Sequence, residues 1–357
     1  MVDDAVVVRK IVTDSLATDP QIEVVGVAAN GRIALAKIPQ INPDIITLDI
    51  EMPELDGLQT LVEIRKLYPL LPVIMFSTLT EHGGTKTLEA LSLGATDYVT
   101  KPANVGSVSI AMQRVREELI PKIKLFCSEK AGFKAPATAK PEPFTKSQPF
   151  IQKTFTPKTP SLPNQRIDIV AIGVSTGGPN ALAELFPVFP KNFPVPIVLV
   201  QHMPPFFTKL LAERLTSKSE VVVKEGATGD ALTPGNAWIA PGDFHMSLEK
   251  TGTRVYVSIH QGQPENSCRP AVDVLFRSVA KLYGPNTLAV ILTGMGQDGL
   301  IGCEHIKDAG GKVIVQDEAS SVVWGMPGFV ARAGLADKIL PLNQIGQEII
   351  NISKTGR

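Results

Sequence analysis

Twice along this chain, runs of apolar and largely β-branched residues alternate with amphipathic stretches. "IEVVGVAA" leads to "NGRIALAKI", "PDIITLDI" to "DGLQTLVEIRKLY", "LPVIMFST" to "TKTLEALSLG", and "TDYVT" to "SIAMQRVREELIPKIK". A continuously apolar strand has no face to offer water, so such strands belong in a parallel sheet covered by helices on both sides. A second series opens with "IDIVAIGV", "PNALAELF", "PIVLVQH" and "FTKLLAERL". It is interrupted by a hairpin, "FHMSLEK" and "RVYVSIH" around a Thr-Gly turn. "AVDVLFRSVAKLY", "LAVILTGM", "GCEHIKDAG" and "KVIVQDE" then resume the α/β pattern. Residues 125–165 fit neither series. They are rich in Pro, Lys, Thr and Ser, without a period of 2 or 3.6, and read as a semi-stiff basic tether. Its Phe144, Phe150 and Phe155 are the side chains that could touch a partner. The expected fold is α/β: two doubly wound parallel-sheet domains over residues 1–124 and 166–350, the second with an inserted β-hairpin. A length of 357 residues suits two domains of roughly 100–200 residues each.

The 35 basic residues balance 35 acidic ones, which argues against global attraction to nucleic acid or a membrane surface. Cys127, Cys268 and Cys303 lie far apart with no C-x-x-C spacing, so neither a disulfide framework nor a zinc site is expected. The N-terminus lacks the apolar core of a signal peptide. No apolar run approaches the ~20 residues of a membrane helix. A cytoplasmic protein without membrane insertion or a nucleic-acid partner is expected.

In doubly wound sheets, ligands bind where the loops after the strands gather. In the first series that edge carries Asp3 and Asp4, Asp49 at the end of "DIITLD", Ser77 and Thr78 after "VIMF", and Lys101 after "DYVT". Three carboxylates brought together repel, and a hard divalent cation relieves the repulsion. The acidic pair, "LDIEMPELDGL", "ST" and "DYVTKP" fall in an order that resembles the two-component response-regulator receiver domain, of flavodoxin-like strand order. The resemblance implies Asp49 as acceptor of phosphate from a histidine kinase. It implies Mg²⁺ held by Asp4, Asp49 and the Glu51 carbonyl, with Asp3 acting through water. Ser77 would contact the phosphoryl group, Lys101 would pair with it, and Tyr98 would be the switch aromatic. The family has a full central strand before its acidic pair, whereas here only Met1 and Val2 precede Asp3. Either the natural start lies upstream or the strand is cut short, at a cost of several kcal/mol for ~1 kcal/mol per lost net hydrogen bond. "AVVVRKIV" reads as a strand on propensity alone, but as the first helix on the resemblance.

In the second series Gly173-Val174-Ser175-Thr176-Gly177 matches G-x-S-x-G, in which glycines permit the turn that lifts a serine hydroxyl clear of the sheet. A phosphate cradle is disfavoured, because no lysine follows to complete a Walker A pattern and no dinucleotide G-x-G-x-x-G is present. A serine needs an adjacent base. His82 belongs to the first domain, His245 and His260 to the hairpin, and His305 to a helical pattern. His202 ends the next strand after Ser175 and so reaches the same edge. The orienting carboxylate is expected to be Asp298, in the strand-end loop of "LAVILTGMGQDGL", ahead of Asp230, Asp243 and Asp317.

"GVSTGGP", "QHMP", "IAPGD", "RPAVDVLF" and "TGMGQDG" together resemble the catalytic domain of the chemotaxis protein-glutamate methylesterases, the CheB family, whose domain order is receiver, linker, esterase. The resemblance implies a Rossmann-like esterase domain with Ser175 as nucleophile, His202 as general base and Asp298 as its orienter. Thr176 and Met295 would line the site, with the Met295 N–H as an oxyanion donor. Cys268 is given no role. The implied reaction is hydrolysis of glutamate γ-methyl esters, with deamidation of glutamine by the same route, on methyl-accepting chemotaxis receptors. The esterase would need no cofactor, and phosphorylation of the receiver would release it. Two rival readings are a phosphorylation-gated receptor-binding module without turnover and a small-molecule serine esterase.

Overall fold

The structure, a computed structural model, describes residues 1–101, 108–127 and 165–355. The expected linker, with Phe144, Phe150 and Phe155, lies outside the described residues except at its two ends. The chain divides into two compact units.

In the first unit, α1 (Val6–Leu16) and α2 (Gly31–Ile41) precede β1 (Ile46–Asp49), followed by α3 (Gly57–Leu67), β2 (Val73–Ser77), α4 (Glu81–Ser92) and β3 (Asp97–Thr100). α5 (Val108–Arg114) runs through a π-helical turn into α6 (Ile120–Cys127). β1, β2 and β3 pair in parallel in that order. Three of these helices start at a side-chain cap: Asn30 accepts from the Ile33 N–H before α2, Asp56 and Gln59 form a capping box before α3, and Thr80 accepts from the Gly83 N–H before α4. "AVVVRKIV" lies in α1 despite its β-branched residues. Val8, Val12 and Leu16 recur every fourth position and pack with Ile74 and Phe76 of β2, so burial of one helical stripe overrides propensity.

The expected strand over "IEVVGVAA" is corrected: only Ala28 bridges, to Val2, and Val2 bridges in turn to Leu48. The Val2 N–H donates to the Thr47 carbonyl, the Asp49 N–H to the Val2 carbonyl, and the Asp3 N–H to the Ala28 carbonyl. A strand needs a partner along its length, and among the described residues the ladder bridges of this segment are confined to Ala28. The Met1 ammonium donates to the Gly26 carbonyl at 3.0 Å, and burial pushes its pKa down to about 6. Beside it lies a cavity of about 80 Å³ lined by Leu16, Ile22, Val24, Ile45 and Ile123.

The second unit contains β4 (Ile169–Val174), α7 (Gly178–Leu185), β5 (Ile197–Gln201), α8 (Phe207–Lys218), β6 (Val222–Glu225) and β7 (Asn236–Ile239). The antiparallel hairpin of β8 (His245–Thr251) and β9 (Arg254–His260) follows, then α9 (Val272–Tyr283) and β10 (Thr287–Ile291). α10 (Leu300–Asp308), β11 (Lys312–Gln316), α11 (Met326–Arg332), β12 (Lys338–Leu340) and α12 (Leu342–Lys354) complete it. Seven described strands form a parallel sheet in the order β12-β11-β10-β4-β5-β7-β6. β4, β5 and β10 are buried at every position, as their unbroken apolar runs require. Progress along the sheet reverses at β4: β5 lies on one side of it, β10 on the other. Such a switch point opens a crevice beyond the strand ends. The hairpin packs on α9 and closes the core through Met246, Leu248 and Val257. Among the described residues no helix is long and apolar enough to cross a membrane.

Candidate active site and phosphoacceptor site

Ser175 follows β4, His202 follows β5 and Asp298 lies in the loop after β10, so three adjacent strands deliver the three expected residues to the switch-point crevice. Val174 and Gln201 are register partners, and the His202 N–H donates to the Val174 carbonyl at 3.3 Å. The two glycines of the serine motif serve different ends. Gly177 has φ +79°, where a side chain would be strained, and turns the chain into α7. Gly173 lies within β4, where a Cβ would meet a Val272 methyl at 2.5 Å, so it lets the start of α9 press on the strand.

The loop of Ser175 is held from two sides. Gln201 Nε2 donates to the Ser175 carbonyl at 3.0 Å, and the Ser175 N–H donates to the Thr293 carbonyl. Thr293 Oγ1 donates to the Thr176 carbonyl at 2.9 Å. Gln201 and Thr293 escaped the sequence reading. Gln201 had a visible signal, a lone amide closing the apolar run "VLVQ".

His202 Nε2 and Asp298 Oδ2 lie 2.8 Å apart. An ionised carboxylate only accepts, so Nε2 carries the proton and Nδ1 offers the lone pair. Cys268 Sγ approaches that nitrogen at 3.7 Å, and no hydrogen bond among the described residues joins it to Ser175. Burial opposes a charge on His202, but the hydrogen bond it donates to the Asp298 carboxylate outweighs it and holds the imidazole above its ordinary pKa. Asp298 is 2% exposed. Burial would raise its pKa, yet its pairing with His202 and the Val272 and Asp273 N–H groups hold it below the usual carboxylate range.

The other candidates have different occupations. His245 Nδ1 accepts the Ala271 N–H and its Nε2 donates to the Gln263 carbonyl, while burial lowers its pKa, so it is a neutral packing histidine. Asp243 pairs with Arg269, Asp230 accepts the Ala227 N–H, and Asp317 accepts from Ser320. Thr176 is buried and Met295 is 40% exposed at the crevice.

Phe206, just before α8, is 56% exposed and has φ +70°, ψ −38°, an outlier for an aromatic residue. Strain of this kind costs about 1–3 kcal/mol. Phe206→Gly relieves it but also gives up the covered part of the ring and adds unfolded-state entropy, so the thermal midpoint is expected to move by no more than about 2–4 °C. A lower midpoint would show that ring contacts outweigh the strain.

In the first unit Asp3, Asp4 and Asp49 offer oxygens that all lie within 4.8 Å of one another. Asp3 Oδ2 and Asp49 Oδ2 are buried and crowded together, an arrangement that a cation relieves. Lys101 Nζ is ion-paired 2.7 Å from Asp49 Oδ2 and 3.5 Å from Asp3 Oδ2. Burial pushes Asp49 up to about 6, against the pull of Lys101. The Glu51 N–H donates to Asp49 Oδ1 at 3.3 Å, and the Glu51 side chain pairs outward with His82 and Lys86. Ser77 Oγ is buried, accepts from Thr87 Oγ1 at 2.6 Å and donates to the Gly83 carbonyl. The Tyr98 ring is buried, with Lys122 Nζ 5.5 Å from its centroid and its phenol pKa raised by burial. Thus Asp3, Asp4, Asp49 and Lys101 converge, while Tyr98 is packed against Lys122.

Sequence profiles of two families match this chain: the response regulator receiver domain over residues 1–113 and the CheB methylesterase over residues 170–349. A protein-glutamate methylesterase/protein-glutamine glutaminase of Trichodesmium erythraeum is 57% identical over 350 residues, covering 98% of this chain and 97% of that protein. One of the same name from a Nocardioides species is 49% identical, covering 98% of this chain and 93% of that protein. Among solved structures, the Thermotoga maritima CheB methylesterase catalytic domain is similar at 48% identity with a TM-score of 0.52. That match covers 52% of this chain and 98% of that one.

Proposed function

The chain belongs to the CheB methylesterase family and carries a response-regulator receiver domain, and on that premise we propose that it hydrolyses glutamate γ-methyl esters on methyl-accepting chemotaxis receptors. A histidine kinase would control it through the receiver, in the cytoplasm. Glutamine deamidation follows the same route, with ammonia leaving in place of methanol. The observation that carries the reading is the His202–Asp298 pair at 2.8 Å, at the end of the strand beside that of Ser175.

Ser175 Oγ attacks the ester carbonyl while His202 Nδ1 takes its proton, and Asp298 stabilises the resulting imidazolium. The Thr176 and Met295 amides hold the oxyanion, each donor worth about 3–4 kcal/mol where one has been removed in another serine hydrolase. His202 returns the proton to the leaving methoxide, and methanol departs. The same imidazole then activates water to free the glutamate and restore Ser175. No cofactor is needed for these steps.

In the receiver, Asp49 accepts the phosphoryl group, Lys101 pairs with its charge and Ser77 contacts its oxygens. Tyr98 is the switch aromatic. Asp4, Asp49 and the Glu51 carbonyl, with Asp3 through water, would hold Mg²⁺, whose charge offsets that of the carboxylates and phosphate. Tenfold activation requires about 1.4 kcal/mol of differential stabilisation.

Methanol released from methylated receptor membranes tests both halves. With Mg²⁺ and a small phosphodonor, release is expected to rise about tenfold or more. Asp49→Asn is expected to keep the basal rate and lose the rise. Release that ignores the phosphodonor would remove the receiver from control. No release from folded protein would sink the esterase assignment in favour of a receptor-binding module. Turnover of short esters but not of receptor would favour a small-molecule esterase.

A further inference from the structure

Behind the His202–Asp298 pair lies a second buried carboxylate, Asp273 on the first turn of α9, 1% exposed. Two buried carboxylates in contact are costly unless donors are shared between them. Asn266 Nδ2 donates to Asp298 Oδ1 at 3.0 Å and to Asp273 Oδ2 at 2.9 Å. The Gly299 N–H reaches Asp273 Oδ1 and Asp298 Oδ1, both at 3.0 Å. Asp273 Oδ1 also accepts the Gly302 N–H, and Asp298 Oδ1 the Asp273 N–H. Each donor taken up by Oδ1 fixes the rotation of the Asp298 carboxylate and leaves Oδ2 for the Val272 N–H and His202.

Asn266 is placed there by a tight turn. Glu265 and Cys268 exchange backbone hydrogen bonds, and Asn266 and Ser267 between them have φ +52° and +61°. Asparagine suits such a turn for conformational reasons alone. Here, however, its amide is spent on two buried carboxylates rather than on the turn. The turn is tied to α9 by the ion pair of Glu265 with Arg277, and its far end puts Cys268 against His202.

We propose that Asn266, acting with Asp273, is a positioning residue of the esterase: it orients Asp298 so that Asp298 can orient His202. This rests on the esterase reading above. The ionisable groups facing the cluster are His202, Cys268, Asp273, Asp298, Cys303, and Arg277 with its partner Glu265.

Asn266→Gly keeps a residue at home at positive φ and removes only the amide. In the full-length protein it is expected to lower the thermal midpoint by a few degrees, because two buried carboxylates lose a shared donor, to lower kcat on a short methyl ester about 10–100-fold and to leave KM in place. The acid limb of kcat/KM should move to lower pH, because an Asp298 that turns away or takes up a proton no longer holds the imidazolium. Asn266→Asp, which sets a third carboxylate against the two, should have the larger effect. The His202 imidazole followed by NMR titration provides a readout that needs no turnover, and its pKa should fall in Asn266→Gly. A folded Asn266→Gly protein with an unmoved His202 titration overturns the proposal, whatever its rate. Loss of stability or rate without that movement assigns Asn266 to the turn alone and also overturns it. The parent and Ser175→Ala chains on the same ester report separately on the esterase reading.

Discussion

Ser175→Ala is expected to lower methanol release by about 10⁴–10⁶-fold, the scale on which serine hydrolases lose turnover when the nucleophile goes. The experiment has a specific rival to exclude. Cys268 Sγ lies 3.7 Å from His202 Nδ1, the nitrogen assigned to the serine, and Cys–His–Asp arrangements are catalytic elsewhere. Cys268→Ala should therefore be measured beside Ser175→Ala. If the serine is the nucleophile, the alanine at 268 keeps activity within a few-fold and the alanine at 175 loses it. The reverse pattern would move the nucleophile to the cysteine and leave Ser175 as a turn residue. Serine is favoured by its position at the switch point, on a loop held by Gln201 and Thr293. Hydrogen bonds of a catalytic serine are often loose without substrate, so the missing Ser175–His202 bond does not count against it.

Residues placed by strand ends were legible in the sequence. Apolar strands must be buried and parallel, parallel strands bring their following loops to one edge, and so Ser175, His202 and Asp298 could be named before any coordinates. Asp3, Asp49 and Lys101 follow the same logic. What a loop does across the sheet edge was not legible. Asn266 and Asp273 are distant in sequence from Asp298 and meet it only because a four-residue turn with two left-handed residues leads into α9. Cys268 reaches His202 through the same turn. The strand expected over "IEVVGVAA" failed for a different reason. Its composition is right, but a strand is a property of a pair, and the pairing among the described residues is confined to Ala28, which bridges to Val2.

Asp298→Asn is expected to lower kcat by about 10⁴-fold, since an amide cannot stabilise the imidazolium that forms as Ser175 gives up its proton. The pH profile separates this from damage to folding. His202 acts as a base only when neutral, and its pairing with Asp298 holds its pKa above the ordinary histidine value. In the parent enzyme kcat/KM should therefore rise with pH through that raised pKa, and activity should be greatest on the alkaline side. Removing the charge of Asp298 leaves burial as the dominant influence on His202, which favours the neutral ring, so the residual activity of the asparagine variant should survive to lower pH. A variant with a small loss and an unmoved acid limb would show that Asp298 does not govern His202, and the carboxylate would have to be sought elsewhere. Asp273 could not simply take over. Its Oδ1 accepts the Gly299 and Gly302 N–H groups and its Oδ2 the Asn266 amide, so both its oxygens are already engaged by donors other than His202. Asp273 and Asn266 thus reach His202 through Asp298, at the ring nitrogen opposite the one that Cys268 approaches, so Asp298 is the residue through which the buried carboxylate cluster acts on the base.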